Sequence, residues 1–181
     1  MIATDLCLPI DLPWPIENFN FPNYRNKNQS QTKLHNSMID KSFLTLMREK
    51  YLLDIQFIEI FYLPCYSSHA IHCDGHELDN KAKVNFVKDG RNSKMIWYSA
   101  KEDNLIETGY TKVNTKYLSI KEHNCKIIHS EKIISPCLVN VGQFHTVRTV
   151  DQERFCLSLA FIDLTRKYRL NFSELAQRFK I

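Results

Sequence analysis

Residues 136–163 read PCLVNVGQFHTVRTVDQERFCLSLAFID, and this stretch gives the first indication of the fold. It contains three segments, 136–141, 144–150 and 154–163, in which β-branched, aromatic and other apolar side chains predominate. These residue types favour strands, and the stretches between the segments are long enough only for turns or short loops. We therefore predict three consecutive strands in this part of the chain.

Earlier parts of the chain repeat the pattern. Further strands are predicted at 52–63, 70–74, 82–88, 94–99, 105–112, 115–120 and 125–130. Many short strands separated by turn signals, such as Asp89-Gly90, are typical of a β-sandwich or barrel. The double-stranded β-helix, a cupin-like jelly roll, fits best because it would place the candidate metal ligands described below on inner strand faces.

Helices are predicted on either side of these strands. Apolar residues recur at helical spacing from Asn36 to Tyr51, which predicts a helix packed on the outside of a sheet. A second, short helix is predicted at the carboxyl end, starting near Asn171 or Ser173. The predicted fold is therefore mainly β, a jelly roll with one or two flanking helices.

The chain of 181 residues is expected to form one domain. Residues 1–51 would form an extended arm, rich in Pro, Asn and Gln, and the supporting helix. Residues 52–164 would form the jelly-roll core, and residues 165–181 the tail helix.

Composition excludes several classes of protein. A hydrophobic content of 44% with 12% aromatic residues excludes a disordered chain. The net charge is +4 and the basic residues are scattered, which does not favour a nucleic-acid binder. No stretch approaches the roughly 20 uninterrupted apolar residues of a membrane span, so no membrane association is expected.

The cysteines indicate a reducing compartment. The chain has six, with no Cys-x-x-Cys pair, and most lie within apolar runs. Free buried thiols are therefore expected rather than a disulfide framework. The first residues lack the basic and apolar regions of a signal peptide, and a cytoplasmic protein is predicted.

Residues 70–75, AIHCDG, contain the candidate chemistry. If they form a strand, His72 and Asp74 point to the same face, because strand side chains alternate. His145, in the strand predicted at 144–150, would add a second imidazole. Two histidines and one carboxylate form the facial triad that holds non-haem Fe(II) and leaves positions open for substrate and O₂.

Other interpretations of these residues stay open. An isolated His-x-Asp pair can be a solvated loop feature, and His145 can be a core histidine bonded to backbone. His69 and His76 flank the motif. His76 would share the face of His72 if the strand continued, but Gly75 favours a turn there, which makes His76 the second choice.

The run 136–147 followed by 154–159 resembles the carboxyl-terminal half of Fe(II)/2-oxoglutarate-dependent dioxygenases, and the resemblance covers roughly residues 55–163. In that family the second histidine lies on one strand, and an arginine on the next binds the far carboxylate of 2-oxoglutarate. The spacing from His145 to Arg154 is similar to that of the prolyl-hydroxylase branch. The resemblance implies Fe(II), 2-oxoglutarate as cosubstrate and O₂, with His72, Asp74 and His145 as catalytic metal ligands.

The pattern around Arg154 agrees with a cosubstrate role. Alternation predicts Phe155, Leu157 and Leu159 in the core and Arg154, Cys156 and Ser158 on the opposite face. A buried guanidinium needs a partner, and its planar fork matches a carboxylate. The alternative is an arginine at the rim, paired with Asp151 or Glu153.

Three more residues are candidates for binding the cosubstrate. The family often has Ser or Thr two residues after the arginine, where this chain has Cys156, so Ser158 or Tyr62 is expected to supply the hydroxyl. Tyr62 lies ten residues before His72, as in prolyl-hydroxylase-like enzymes, although it can equally be an ordinary strand aromatic. Asn85 is an amide within an apolar strand and is expected to face the same pocket.

The resemblance implies an enzyme that hydroxylates an unactivated C–H bond and releases succinate and CO₂. Similarity to the prolyl- and aspartyl/asparaginyl-hydroxylase branches suggests an amino-acid side chain as substrate, free or within a peptide or protein. One alternative is a cupin-type metalloprotein, such as an isomerase or thiol dioxygenase, that does not use 2-oxoglutarate and has Arg154 at its rim. The other is a non-catalytic jelly-roll binding module.

Overall fold

The computed structural model describes residues 6–25, 30–75, 78, 81–110, 116–133 and 136–180. In these ranges the chain forms twelve strands and two α-helices. The strands are β1 (Cys7–Pro9), β2 (Ser30–Leu34), β3 (Leu53–Leu63), β4 (His72–Cys73), β5 (Ala82–Asp89), β6 (Lys94–Ala100), β7 (Glu107–Tyr110), β8 (Lys116–Ser119), β9 (Cys125–Glu131), β10 (Cys137–Asn140), β11 (Phe144–Arg148) and β12 (Arg154–Asp163). The helices are α1 (Lys41–Tyr51) and α2 (Phe172–Phe179).

The strands form two antiparallel six-stranded sheets. The first sheet has the order β1-β10-β5-β12-β3-β2, and the second has the order β7-β8-β4-β11-β6-β9. From β3 to β6, and again from β9 to β12, each strand lies in the opposite sheet from the one before it. This alternation winds the chain around a common interior, as in a double-stranded β-helix. The predicted mainly β jelly roll with flanking helices is confirmed.

Local backbone conformation and capping explain where the two helices begin. Helix α1 begins at Lys41, not at Asn36 as predicted, because residues 36–38 form a 3-10 turn and Ile39 is extended. Helix α2 begins directly after Asn171, whose side chain accepts from the Glu174 amide in a capping box.

The amino-terminal arm contributes two strands to the first sheet. Its strands β1 and β2 pair at opposite edges of the first sheet. Edges tolerate the prolines of the arm, since an edge strand leaves one side of its backbone without ladder bonds.

Both faces of the first sheet are buried. Its outer face packs against α1, α2 and the arm, with Phe155, Leu157 and Leu159 of β12 in that cluster. Its inner face meets the second sheet, where a smaller apolar cluster includes Trp97, Val139 and Cys156. The predicted alternation along β12 is therefore observed, and Arg154 faces inward. No helix in the described ranges is long and apolar enough to cross a membrane.

Candidate metal centre and cavity

His72 and His145 lie opposite each other on adjacent strands. Strand β4 pairs antiparallel with β11, and the Cα partner of His145 is His72. Directly opposed residues project to the same face. The two imidazole centroids are 4.6 Å apart on the inner face of the second sheet. The structure thus brings together two histidines that are far apart in sequence.

Asp74 completes this cluster from the segment after β4. Its backbone amide donates to the carbonyl oxygen of Val141 at 2.8 Å, which fixes this segment against the residues that follow β10. Gly75 then turns with a φ of +114°. The Asp74 Oδ1 lies 3.6 Å from His72 Nε2, and one ligand atom from each of the three residues lies within 4.8 Å of the others. Three donors at these separations could hold one metal ion.

The hydrogen bonds of the imidazoles determine which nitrogens face the cluster. His72 Nδ1 lies 2.8 Å from the Ala70 carbonyl oxygen, and His145 Nδ1 lies 2.9 Å from that of Gln143. A carbonyl oxygen only accepts, so each Nδ1 carries the proton and each neutral ring has its lone pair on Nε2. Outer partners of this kind orient metal-binding histidines in proteins.

Charges in the cluster suit a cation. Burial lowers the pKa of His145 to about 4, so this ring is neutral at pH 7. Burial alone would raise the pKa of Asp74, but Lys83 and His72 outweigh it and hold that pKa well below its usual value. Burial also opposes the charged form of His72, yet the hydrogen bond and charge of Asp74 raise its pKa. A metal cation would compete with that proton for the His72 ring.

Lys83 forms an ion pair with the carboxylate of Asp74. Its Nζ is 2.7 Å from Asp74 Oδ2 and 2.9 Å from Glu59 Oε2, and Gln31 donates to Glu59 Oε1 at 3.0 Å. Burial disfavours the charged lysine, but Asp74 and Glu59 outweigh it and raise the pKa of Lys83. Because Lys83 holds Oδ2, Asp74 presents Oδ1 to the histidines.

This ion-pair network is not among the predictions from the sequence, although the sequence contains a pattern that indicates it. Lys83 stands two residues before Asn85 and shares its face of β5. Glu59 is a charged residue within the apolar strand β3. A buried cation and a buried anion on separate apolar strands predict each other as partners, since either alone would be costly.

The cluster opens into a cavity between the sheets. The empty space of this cavity is about 440 Å³, a figure that includes open solvent at its mouth. The lining residues are Phe61, His69, His72, Asp74, Lys83, Asn85, Met95, Val141, His145, Val147, Arg154, Cys156 and Ser158. The metal cluster therefore shares one space with six further polar or thiol side chains.

Arg154 is buried in this cavity, with 4% of its surface exposed. Within the described ranges, no carboxylate lies within ion-pair distance of its guanidinium. Asp151 accepts instead from Asn92, and Glu153 pairs with Arg25. The rim arginine considered as an alternative is therefore not what the structure shows.

Two other predicted residues, Ser158 and Asn85, also line the cavity and meet across β12 and β5. Ser158 Oγ donates to Asn85 Oδ1 at 2.7 Å. This contact satisfies one lone pair of the amide and leaves its NH₂ group available. The expectation that Asn85 faces the pocket agrees with this geometry.

Tyr62 does not reach the cavity. It pairs in register with Phe155, which faces outward, and the two rings lie 5.0 Å apart. Its hydroxyl donates to Glu153 Oε2 at 3.2 Å. Side chains alternate along β3, so the neighbouring Phe61 lines the cavity instead. The predicted contact of Tyr62 with a cosubstrate has no support in this geometry.

The two flanking histidines differ in what the structure shows. His76 lies outside the described residues. His69 lines the cavity, and burial lowers its pKa to about 3. From the sequence, His69 is only an alternative candidate for a metal ligand. The cluster of candidate ligands does not include it.

No family model matches this chain, and no curated protein matches it. The solved structures similar to it include a cupin 2 domain-containing protein from Halorhodospira halophila, with 8% identity, a TM-score of 0.31, and coverage of 90% of this chain and 81% of the other. Peruvianin-I, a cysteine peptidase from Thevetia peruviana latex, has 12% identity, a TM-score of 0.36, and coverage of 94% and 79%. The protein ycfD of E. coli has 11% identity, a TM-score of 0.34, and coverage of 64% and 29%. Scores this low support no argument about function, so the strand order and side chains of the chain itself define the fold and the candidate site.

Proposed function

We propose that this chain is an Fe(II)/2-oxoglutarate-dependent dioxygenase that hydroxylates an unactivated C–H bond of an amino-acid side chain, free or peptidyl. The observation that supports it most is Arg154, a buried guanidinium in the same cavity as the His72, Asp74 and His145 cluster. A buried cation without a carboxylate partner in the described part of the chain is costly. A carboxylate-bearing ligand would satisfy it.

The donor set fits Fe(II). Two neutral imidazole nitrogens and one carboxylate oxygen are the ligands of facial-triad iron sites. His72 and His145 would each bind through Nε2, because Nδ1 is held by a backbone carbonyl. Asp74 would bind through Oδ1, because Lys83 holds Oδ2. With 2-oxoglutarate and O₂, such a metal centre supplies the oxidative chemistry that yields succinate and CO₂.

The chain itself would bind and orient the cosubstrate. Arg154 would hold the far carboxylate with two parallel N–H donors, which fixes direction as well as affinity. The free NH₂ group of Asn85 offers a further donor on the same inner face. Met95, Val141 and Val147 supply apolar parts of the cavity wall, which would limit the access of water.

The proposal is tested by anaerobic titration of the protein with Fe(II) and then with 2-oxoglutarate. A weak visible charge-transfer band should develop only when both are present. Arg154→Leu should weaken 2-oxoglutarate binding strongly, by on the order of 2–5 kcal/mol, because one partner of a charge-assisted contact is removed. Iron binding should be unchanged in this variant.

Arg166→Leu is the matched control, since Arg166 is exposed and lies outside the cavity. It should leave both binding steps as in the parent. Iron binding without any 2-oxoglutarate binding would contradict the proposal and would favour a jelly-roll metalloprotein of another kind. Binding of neither would leave the cluster as a structural feature of the fold.

A further inference from the structure

The proposed function leaves one polar residue of the cavity, His69, without a role. Its ring lies 6.4 Å from the His72 ring and 6.3 Å from the Phe61 ring, measured between centroids. Phe61 belongs to the first sheet and His72 to the second. The imidazole therefore bridges the two sheets on the wall of the cavity.

The backbone of His69 is held tightly. Its amide donates to the Val147 carbonyl oxygen at 3.2 Å, and its own carbonyl oxygen accepts from Thr146 Oγ1 at 2.6 Å. One residue earlier, Ser68 bridges to Arg148, and Ser67 exchanges hydrogen bonds with Thr149. The segment is thus attached to β11, the strand that carries His145, and the backbone of His69 has a fixed position relative to the metal cluster.

The His69 ring is partly exposed, lines the cavity together with Arg154, and makes no hydrogen bond to the described residues. A neutral imidazole has one N–H donor and one acceptor nitrogen, and both are open to a ligand that enters the cavity. Arg154 and Cys156 lie on the cavity wall near Phe61, since Cys156 is the Cα partner of Phe61 in the ladder. The ring and the guanidinium therefore line the same cavity.

We infer that His69 donates a hydrogen bond to the carboxylate held by Arg154, so that the two residues form one carboxylate subsite. This inference rests on the proposed function and deepens it. His69 then acts in place of the hydroxyl that Tyr62 does not provide, because Tyr62 lies on the other face of β3. The ligand class is a dicarboxylate with a 2-oxo acid at the metal end.

The test is calorimetric titration of Mn(II)-loaded protein with 2-oxoglutarate and, separately, with pyruvate. Pyruvate has the 2-oxo acid group but lacks the far carboxylate. His69→Phe should weaken 2-oxoglutarate binding roughly ten- to a hundredfold, the loss expected for one hydrogen bond to a charged group. Pyruvate binding and Mn(II) affinity should be unchanged, because the contact is made only with the far carboxylate.

Two further variants separate binding from packing. His69→Asn retains an N–H donor and should recover part of the affinity that His69→Phe loses. His123→Phe is the matched control, because His123 is exposed on a turn outside the cavity, and it should behave as the parent.

Several outcomes would overturn the inference. If His69→Phe weakens pyruvate and 2-oxoglutarate equally, His69 does not contact the far carboxylate. If the parent binds 2-oxoglutarate and His69→Phe binds it as tightly, this inference alone is wrong and the proposed function stands. If the parent binds no 2-oxoglutarate, both the proposed function and the inference about His69 are wrong.

Discussion

At the scale of single residues, three candidate metal ligands from two strands and one adjoining segment lie together. Each contributes one donor atom, whereas the two sheets are held by their strand ladders and apolar clusters, so removing one imidazole should abolish metal binding while the fold persists. We expect His72→Ala and His145→Ala to bind no Fe(II) and to retain the far-ultraviolet circular dichroism of the parent. His129→Ala is the control, since His129 packs on Trp97 outside the cluster. Parent-like iron binding by either ligand variant would show that the cluster is not the metal site.

Buried histidines also make stability depend on pH. The pKa of His145 in the folded protein is about 4, below the value of about 6.5 expected when unfolded. The unfolded chain therefore binds more protons between these values, and stability present above pH 6.5 is lost as the pH falls toward 4. His69, with a pKa of about 3, acts in the same direction, whereas the raised pKa of His72 acts in the opposite one.

We expect the free energy of unfolding of metal-free protein to fall by about 1–2 kcal/mol between pH 7 and pH 5 on account of His145. Urea unfolding at the two pH values measures this change. In His145→Ala the decrease should be smaller by that amount. An equal decrease in parent and variant would mean that His145 is not a buried neutral ring in the folded protein.

At the scale of elements, the β5–β6 turn positions Arg154. Gly90 in this turn has a φ of +66°, and a Cβ atom there would lie 2.8 Å from the Cβ of Arg154. That atom is next to the backbone of β12 and cannot move away as a side-chain tip would. The turn and the first residue of β12 are thus in direct contact only because residue 90 lacks a side chain.

Gly90→Ala should therefore displace Arg154 as well as strain the turn. We expect a loss of about 1–3 kcal/mol in the free energy of unfolding from the unfavourable φ. We also expect weaker 2-oxoglutarate binding with unchanged metal affinity. Urea unfolding and calorimetry measure the two effects. Arg91→Ala, in the same turn but exposed, should change neither, and parent-like cosubstrate binding by Gly90→Ala would show that the turn does not position the guanidinium.

At the scale of the whole molecule, the two packed sheets bury most of the thiols. Cys73, Cys125, Cys137 and Cys156 are buried, Cys65 is exposed and Cys7 is partly buried. All six lie within the described ranges, and none of them forms a disulfide there. We expect Cys65 to react first with a thiol reagent under native conditions and the four buried thiols to react only on unfolding. In denaturant without reductant, six thiols should titrate. Fewer, in protein protected from artefactual oxidation, would mean that disulfides form and would argue against a reducing compartment.

Much of the architecture could be predicted from the sequence, because it depends on local patterns. Short β-rich segments between turn signals gave the strands and the jelly-roll class, since strand propensity and turns are properties of neighbouring residues. The inward direction of Arg154 was also predictable. It shares a strand face with Ser158, while the other face is uniformly apolar, so alternation alone assigns the polar face to the cavity.

The assembly of the site was decided by tertiary structure. Strand β3 has large apolar residues on both faces, although Glu59 shares the face of Phe61, so hydrophobicity alone could not show whether Phe61 or Tyr62 faces inward. The packing of both sides of the first sheet settled this. The register of β4 on β11 sets His72 against His145 across 73 residues of chain, and the pairing of Lys83 with Glu59 and Asp74 joins three separate segments. Local sequence determines the period of a strand, but which residues of distant strands meet depends on pairing and packing that involve the whole molecule.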